Sequence, residues 1–372
     1  MENMVTKNDF WRGRRVFITG HTGFKGSWLS LWLRKLGAHV TGLALPAPTS
    51  PSLFDLARVS QGMDSTLGDI RDPEIVRSAI ARAQPEIVIH MAAQPLVRRS
   101  YQAPAETYAI NVLGTVHVLD AIRHCPSVRA AINVTTDKCY ENHEWPWPYR
   151  ENDMLGGHDP YSASKACSEL VTASYRRAFL EQPDPEHHTV ALASARAGNV
   201  IGGGDWAPDR LIPDLVRARD SRQPLHIRRP NAIRPWQHVL EPLCGYLMLA
   251  EHLLDPDAKC AQAFNFGPTV HDARTVGWVT ERLSRSWHVP VHYDEGCEGP
   301  HEAGLLQLDA SKARHLLGWQ PRLTIDTALD LTCDWFERLW SGSSAESLVL
   351  DQIEFYESLC PARSPRIASG SL

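Results

Sequence analysis

The chain has 372 residues, a net charge of −5, 43% hydrophobic residues and 22% charged residues. That length supports one large domain or two ordinary ones, with the composition of a globular protein. The acidic balance excludes a global electrostatic footprint for nucleic acid or an anionic membrane, and no apolar run reaches the ~18 residues of a membrane-spanning helix. The opening MENMVTKNDFWRGRR has no apolar core ahead of its basic residues, unlike a secretory signal. Eight cysteines without a CxxC or a regular spacing predict reduced thiols in a cytoplasmic protein and no metal site.

The first element is a β-type run, Val16, Phe17 and Ile18, which meets a glycine cluster at Gly20, Gly23 and Gly26. A helical apolar pattern from Trp28 to Leu36 follows. Strand, glycine turn and helix form the layout that cradles a pyrophosphate on free N–H groups at a helix N-terminus. The spacing is GxxGxxG, and an ordinary βα turn is the competing reading. Ala38 to Leu45 predicts a second strand, followed by a proline-rich break at Pro46, Pro48 and Pro51. After GDIRD comes a helix from about Pro73 to Ala83, then a strand buried on both faces within Pro85–Ala93. A long helical stretch holds Asn111 and Thr115; AAINVTTDK reads as another buried strand with a polar carboxyl end. Tyr161 to about Glu181 reads as a helix and Thr189–Val200 as one more strand. Strands alternating with helices predict an α/β fold of the Rossmann type, a doubly wound parallel sheet with ligands at the strand carboxyl ends. This dinucleotide-binding domain spans 1–200. Residues 201–355, rich in Gly, Pro, Arg and Trp loops, predict a smaller mixed α/β substrate domain. Ala263–Pro268 is expected to return to the main sheet, and 360–372 to be a disordered tail.

Two constellations carry chemistry. In DPYSASKA, Tyr161 and Lys165 are four residues apart, on one helix face. An ammonium there is expected to lower the tyrosine pKa and make Tyr161 a general base. Thr135, Thr136, Asp137 and Lys138 end a buried strand, at the functional edge of the sheet; an Asp/Thr cap is the bland alternative.

Seven motifs in order, TGHTGFKG, GDIRD, HMAAQP, NVLGT, TTDK, YSASK and RAGNVIGGGDW, resemble the extended short-chain dehydrogenase/reductase family. Within it, about residues 14–340 look like the nucleotide-sugar 4,6-dehydratases, and Lys138 resembles the branch acting on CDP-glucose, since most of the others carry glutamate there. The resemblance implies a soluble enzyme with a tightly held NAD, regenerated each turnover, and a nucleotide-sugar substrate. A homo-oligomer, dimer or tetramer, is implied as well. It implies that Tyr161, with Lys165, takes the C4 hydroxyl proton and that Thr136 hydrogen-bonds the C4 oxygen. Asp137 protonates the leaving C6 hydroxyl and Lys138 removes the C5 proton. Lys138 acting only as an electrostatic stabiliser is the alternative. Cofactor contacts carry over onto Gly20, Thr22, Gly23, Phe24, Lys25, Gly26, Asp69, Ile70, Ala92, Ala93 and Lys165. Substrate contacts carry over onto Asn199, Arg210, Leu211, Arg228, Arg234 and His301, whereas Arg229 reads as a surface charge and His90 as packing. One departure stands out: Ala44, Leu45 and Pro46 occupy the end of the second strand, where an acidic ribose ligand is expected. An epimerase, or a dehydratase acting on a dTDP-, GDP- or UDP-sugar, is the competing function.

Overall fold

The computed structural model describes residues 10–181, 188–255, 259–293 and 304–359. His301 and the tail 360–372 lie outside them. The main sheet collects β1 (Arg15–Thr19), β2 (His39–Ala44), β3 (Asp64–Leu67), β4 (Ile87–His90), β5 (Ala130–Val134), β6 (Ala191–Ala197) and, later, Ala263–Phe266. Its order is Ala263–Phe266, β6, β5, β4, β1, β2, β3, with every neighbouring pair parallel. The order reverses between β1 and β4, which opens a crevice at the strand carboxyl ends.

Alternation along the strands sorts side chains between two cores. Val16, Ile18, Ile87, Ile89, Ala130 and Ile132 pack on one face of the sheet. Phe17, Val88 and Ala131 pack on the other. Helices cover both faces. They are α1 (Phe24–Lys35), the short α2 (Leu53–Leu56), α3 (Pro73–Ala83), α4 (Val97–Gln102), α5 (Pro104–Tyr108), α6 (Gly114–Arg123) and α7 (Pro160–Tyr175). α3 begins at Asp72, whose carboxylate accepts the N–H groups of Glu74 and Ile75, with Pro73 at the first helical position. α7 begins the same way on Asp159 and Pro160.

The second half adds β7 (Val200–Ile201), α8 (Leu211–Ser221), β8 (Leu225–Ile227), β9 (Ile233–Arg234), β10 (Gln237–His238), α9 (Leu240–Leu253), β11 (Ala263–Phe266), β12 (Arg274–Thr275), α10 (Val276–Trp287), β13 (Val291–Tyr293), α11 (Ser311–Leu317), α12 (Ile325–Trp340) and α13 (Ala345–Ser358). The pairs β7–β10, β9–β12 and β8–β13 form three small ribbons. β11 joins the main sheet beside β6, as expected for Ala263–Pro268. α9 packs across β5 and β6, and α13 lies against α1, where Glu357 accepts from Trp32 Nε1 (2.8 Å) and Lys35 Nζ (2.6 Å).

Four details differ from the pattern reading. The expected strand Thr189–Val200 breaks at Gly198–Asn199 into β6 and β7, which turns Asn199 toward the crevice. The helix expected to reach Glu181 ends at Tyr175 and runs on as a π-turn, Arg176–Leu180. A second π-turn, Ala109–Leu113, interrupts the long helical stretch and buries Asn111. β3 carried no apolar signal because it is an edge strand, largely exposed.

Candidate active site

One cavity of about 810 Å³ occupies the crevice. Every candidate residue within the described segments lines it, from Gly20 through Tyr161 to Arg234. Arg229 lines it too, as an exposed side chain on the rim.

The glycine turn shows why it needs glycine. Gly20 has φ +80°, and a Cβ there would stand 2.8 Å from the Ala92 amide nitrogen. A Cβ at Gly26 would stand 2.2 Å from the Gly20 carbonyl oxygen. The turn thus touches the loop after β4 and seats α1 directly on β1. At Gly23 the nearest atom would be 3.4 Å away, so that position leaves space rather than fills it. This is a cradle shaped for a phosphate at the N-terminus of α1, and it fits a dinucleotide.

The turn also attaches itself to β2 and β3. The Thr22 hydroxyl donates to the Leu45 carbonyl (2.8 Å). The buried His21 ring lies where a Cβ on Gly42 would fall, with Nε2 2.7 Å from Ser65 Oγ. Burial pushes its pKa down to about 4. At the end of β2 the wall is Ala44, Leu45 and Pro46, without a carboxylate. Asp69 lines the cavity with its carboxylate held by Arg71, which donates from Nε (2.8 Å) and Nη2 (2.6 Å) and keeps it below the usual range.

Lys25 belongs to the turn by sequence, but its side chain runs inward to the Tyr246 hydroxyl at 3.5 Å. Burial, and then the charges of Lys165 and Arg210, lower its pKa to about 7. Nothing local in the sequence signals this, because Tyr246 lies on α9, more than 200 residues away.

On the facing wall, Thr136 Oγ1 donates to Asp137 Oδ1 (2.9 Å) and accepts the Lys138 N–H (3.3 Å). Lys138 Nζ lies 3.5 Å from the same carboxylate oxygen. Asp137 is 1% exposed, and its Oδ2 is buried with no partner among the described residues. The same holds for Asn199 Oδ1. Two orphaned acceptors facing one cavity mark a place where a polar ligand belongs.

Tyr161 and Lys165 are both buried on α7. The expectation that Lys165 lowers the tyrosine pKa does not hold. Burial raises the Tyr161 pKa to about 12, against an opposing hydrogen bond from Thr136. The Lys165 ammonium is turned to the Val134 carbonyl (3.2 Å), and burial lowers its pKa to about 8 against the attraction of Glu169. His90 is packing, as expected: its ring bridges Thr19 (2.7 Å) and Thr115 (3.2 Å) inside the sheet.

A phosphate cradle, an acid beside an amine, and a buried tyrosine–lysine pair therefore share one crevice. The profile of the GDP-mannose 4,6-dehydratase family matches residues 17–332. The chain belongs to this family of nucleotide-sugar 4,6-dehydratases. Among curated relatives of the dehydratase, a CDP-glucose 4,6-dehydratase of Salmonella typhimurium is 53% identical over 333 residues, 89% of this chain and 92% of the relative. A dTDP-glucose 4,6-dehydratase of Streptomyces antibioticus is 30% identical, over 73% of this chain and 76% of its own. Solved structures share the fold. A dTDP-glucose 4,6-dehydratase of Streptomyces venezuelae superposes with a TM-score of 0.74 at 22% identity, covering 87% of this chain and 97% of that one. A UDP-glucose 4-epimerase of Thermotoga maritima gives 0.73 at 21%, with coverages of 87% and 99%.

Proposed function

We infer that this chain is an NAD-dependent CDP-glucose 4,6-dehydratase, a hydro-lyase that forms CDP-4-keto-6-deoxy-glucose and water. The carrying observation is the 53% identity to the Salmonella enzyme over 89% of this chain, with Lys138 beside the acid in the crevice. The glycine cradle, Ala92, Ala93 and Lys165 would hold NAD. When bound, NAD supplies the acceptor for the C4 hydride, the same hydride for return to C6, and positive charge.

The residues then divide the proton work. Tyr161 Oη takes the C4 hydroxyl proton as the phenolate, a form that burial disfavours and that the positive charge of bound NAD would favour, and the Thr136 hydroxyl stabilises the developing C4 oxygen. The C4 ketone acidifies the C5 proton, which Lys138 Nζ removes. Asp137 gives its proton to the C6 hydroxyl, which leaves as water. Lys138 returns its proton to C5 as C6 is reduced, and the proton that Tyr161 took from the C4 hydroxyl passes to the Asp137 carboxylate, which resets both groups. Asp137 and Lys138 stand 3.5 Å apart, so the acid and the base of the elimination are adjacent. Asn199, Arg210, Leu211, Arg228 and Arg234 are assigned to the nucleotide diphosphate, where guanidinium groups suit phosphate oxygens.

Exposed Tyr101, Tyr108, Leu113 and Leu170 on α4 to α7 support a homo-oligomer. No helix among the described residues is long and apolar enough to cross a membrane. The test is incubation with CDP-, dTDP-, GDP- and UDP-glucose, read by the alkali-induced absorbance of a 4-keto sugar. Signal with CDP-glucose above the others supports the reading. Preference for another nucleotide moves the assignment to that sugar, and no signal with any of the four refutes it.

A further inference from the structure

The segment 202–210, between β7 and α8, lines the crevice along most of its length. At one side it rests on the glycine-turn helix: the Trp28 indole donates to the Gly203 carbonyl (3.0 Å), and a Cβ at Gly202 would meet the Phe24 ring at 3.3 Å. A Cβ at Gly204 would meet Leu53, the first residue of α2 in the connection after β2, at 2.8 Å. The middle is fixed from behind. Trp206 packs edge-on against Trp335 and Phe336 of α12, and Arg217 donates to the Trp206 carbonyl (2.9 Å). The distal end then reaches the opposite wall. There Asp209 Oδ1 lies 3.1 Å from Nη1 of Arg98, on α4 just after β4. Asp209 adopts φ +60°, a conformation uncommon outside glycine, asparagine and aspartate. Both partners line the cavity.

We propose that residues 202–210 form a strap over the cofactor crevice and that the Arg98–Asp209 ion pair is its latch, retarding cofactor release. The inference rests on the NAD reading given above. Its logic is compensatory. The end of β2 supplies no carboxylate for a ribose, so one usual anchor of a dinucleotide is missing. A redox cycle that returns its own hydride gains nothing from releasing the cofactor between turnovers. The strap joins the wall after β2 to the wall after β4, so a dinucleotide seated along the glycine turn leaves only when that bridge opens. One end of the bridge is held by packed aromatic rings and a buried indole hydrogen bond. The other is held by an ion pair about one-third exposed on each side. The pair is the weaker joint and the one that salt screens.

The experiment follows exchange of bound, adenine-labelled NAD against excess unlabelled NAD on the full chain, by rapid gel filtration over time. Arg98→Gln and Asp209→Asn are expected each to speed exchange about two- to five-fold, the range set by an exposed ion pair. Asparagine tolerates the left-handed backbone, so Asp209→Asn removes charge without adding strain. The double variant is expected to exchange no faster than the single ones, and Arg98→Lys to stay within about two-fold of wild type. Added salt should speed exchange in the wild type and leave the double variant unmoved. A slow wild-type rate unchanged in Asp209→Asn overturns the latch, as does a rise confined to Arg98→Gln, which would mean that Arg98 holds the cofactor directly. A protein that binds no NAD in equilibrium dialysis overturns the cofactor reading and the strap with it.

Discussion

Two glycines of one turn should fail in different ways. In Gly26→Ala the new methyl carbon would stand 2.2 Å from the Gly20 carbonyl oxygen and 2.8 Å from His21 Cα. Both are main-chain atoms, so no rotamer relieves the overlap, and α1 must withdraw from the turn by about 1 Å to reach normal contact. Overpacking of this kind costs about 1–3 kcal/mol. Gly26 is the third residue of α1, so alanine recovers about 1 kcal/mol of helix propensity. A 2.2 Å approach to main chain takes the upper end of that range, and the net loss of roughly 2 kcal/mol corresponds to a fall in Tm of about 2–3 °C for a chain of 372 residues without cofactor. Gly23→Ala meets no such overlap: its nearest contact would be 3.4 Å, at φ −80°. Its Tm should stay within about 1 °C of wild type, while its methyl group intrudes where the cofactor phosphate approaches the helix N-terminus. Calorimetry of the cofactor-free proteins with NAD titration separates the two. Gly26→Ala should lose stability and affinity together; Gly23→Ala should lose affinity alone. Indistinguishable variants, or a Gly26→Ala of wild-type Tm, would refute the packing argument.

Other consequences follow from the same geometry. Tyr161→Phe removes the group assigned to the C4 proton and should lower steady-state turnover at least ~10²-fold; near-wild-type product formation would remove Tyr161 from the base role. Lys138→Ala should keep NAD and C4 oxidation yet lower formation of the 4-keto-6-deoxy product by about 10²–10⁴-fold, read by product absorbance against bound-cofactor fluorescence. Stability should depend on pH through two overlapping windows below neutrality that act with opposite signs. Burial depresses the folded pKa of His21 to about 4, and of His90 and His238 to about 3. Their contribution is present above the unfolded value near 6.5 and is lost as pH falls toward the folded values. Glu241 has the opposite sign. Burial raises its folded pKa to about 7, so its contribution is full below the unfolded value near 4.5 and is lost as pH rises through 7. Glu241→Gln should therefore remove a downward term between about pH 4.5 and 7, so that Tm rises more steeply with pH across that window, and leave the shape of the profile above pH 7 in place.

Where the fold was legible in the sequence, the chemistry was local. Pro73 behind Asp72 and Pro160 behind Asp159 start helices with their own side chains, and the apolar runs of β4 and β5 are strands because helices bury both faces. The shared location of the candidate residues was legible for the same reason: strand carboxyl ends and one face of α7 are set by period and spacing. What the sequence left open depended on neighbours far along the chain. β3 hides because an edge strand needs no apolar face. α13 carries helical spacing, but only the fold puts Glu357 against Trp32 and Lys35 of α1.

By itself, the sequence determined a Rossmann sheet, its glycine turn, and the pairing of an acid–amine strand end with a tyrosine–lysine helix. These follow from backbone sterics and side-chain period, which act within a few residues. Only the tertiary structure decided the electrostatics. Burial, a property of the whole packed chain, lifted Tyr161 instead of lowering it and left Asp137 Oδ2 without a hydrogen-bond partner among the described residues. It also turned Lys25 toward Tyr246 and laid the segment 202–210 across the crevice toward Arg98.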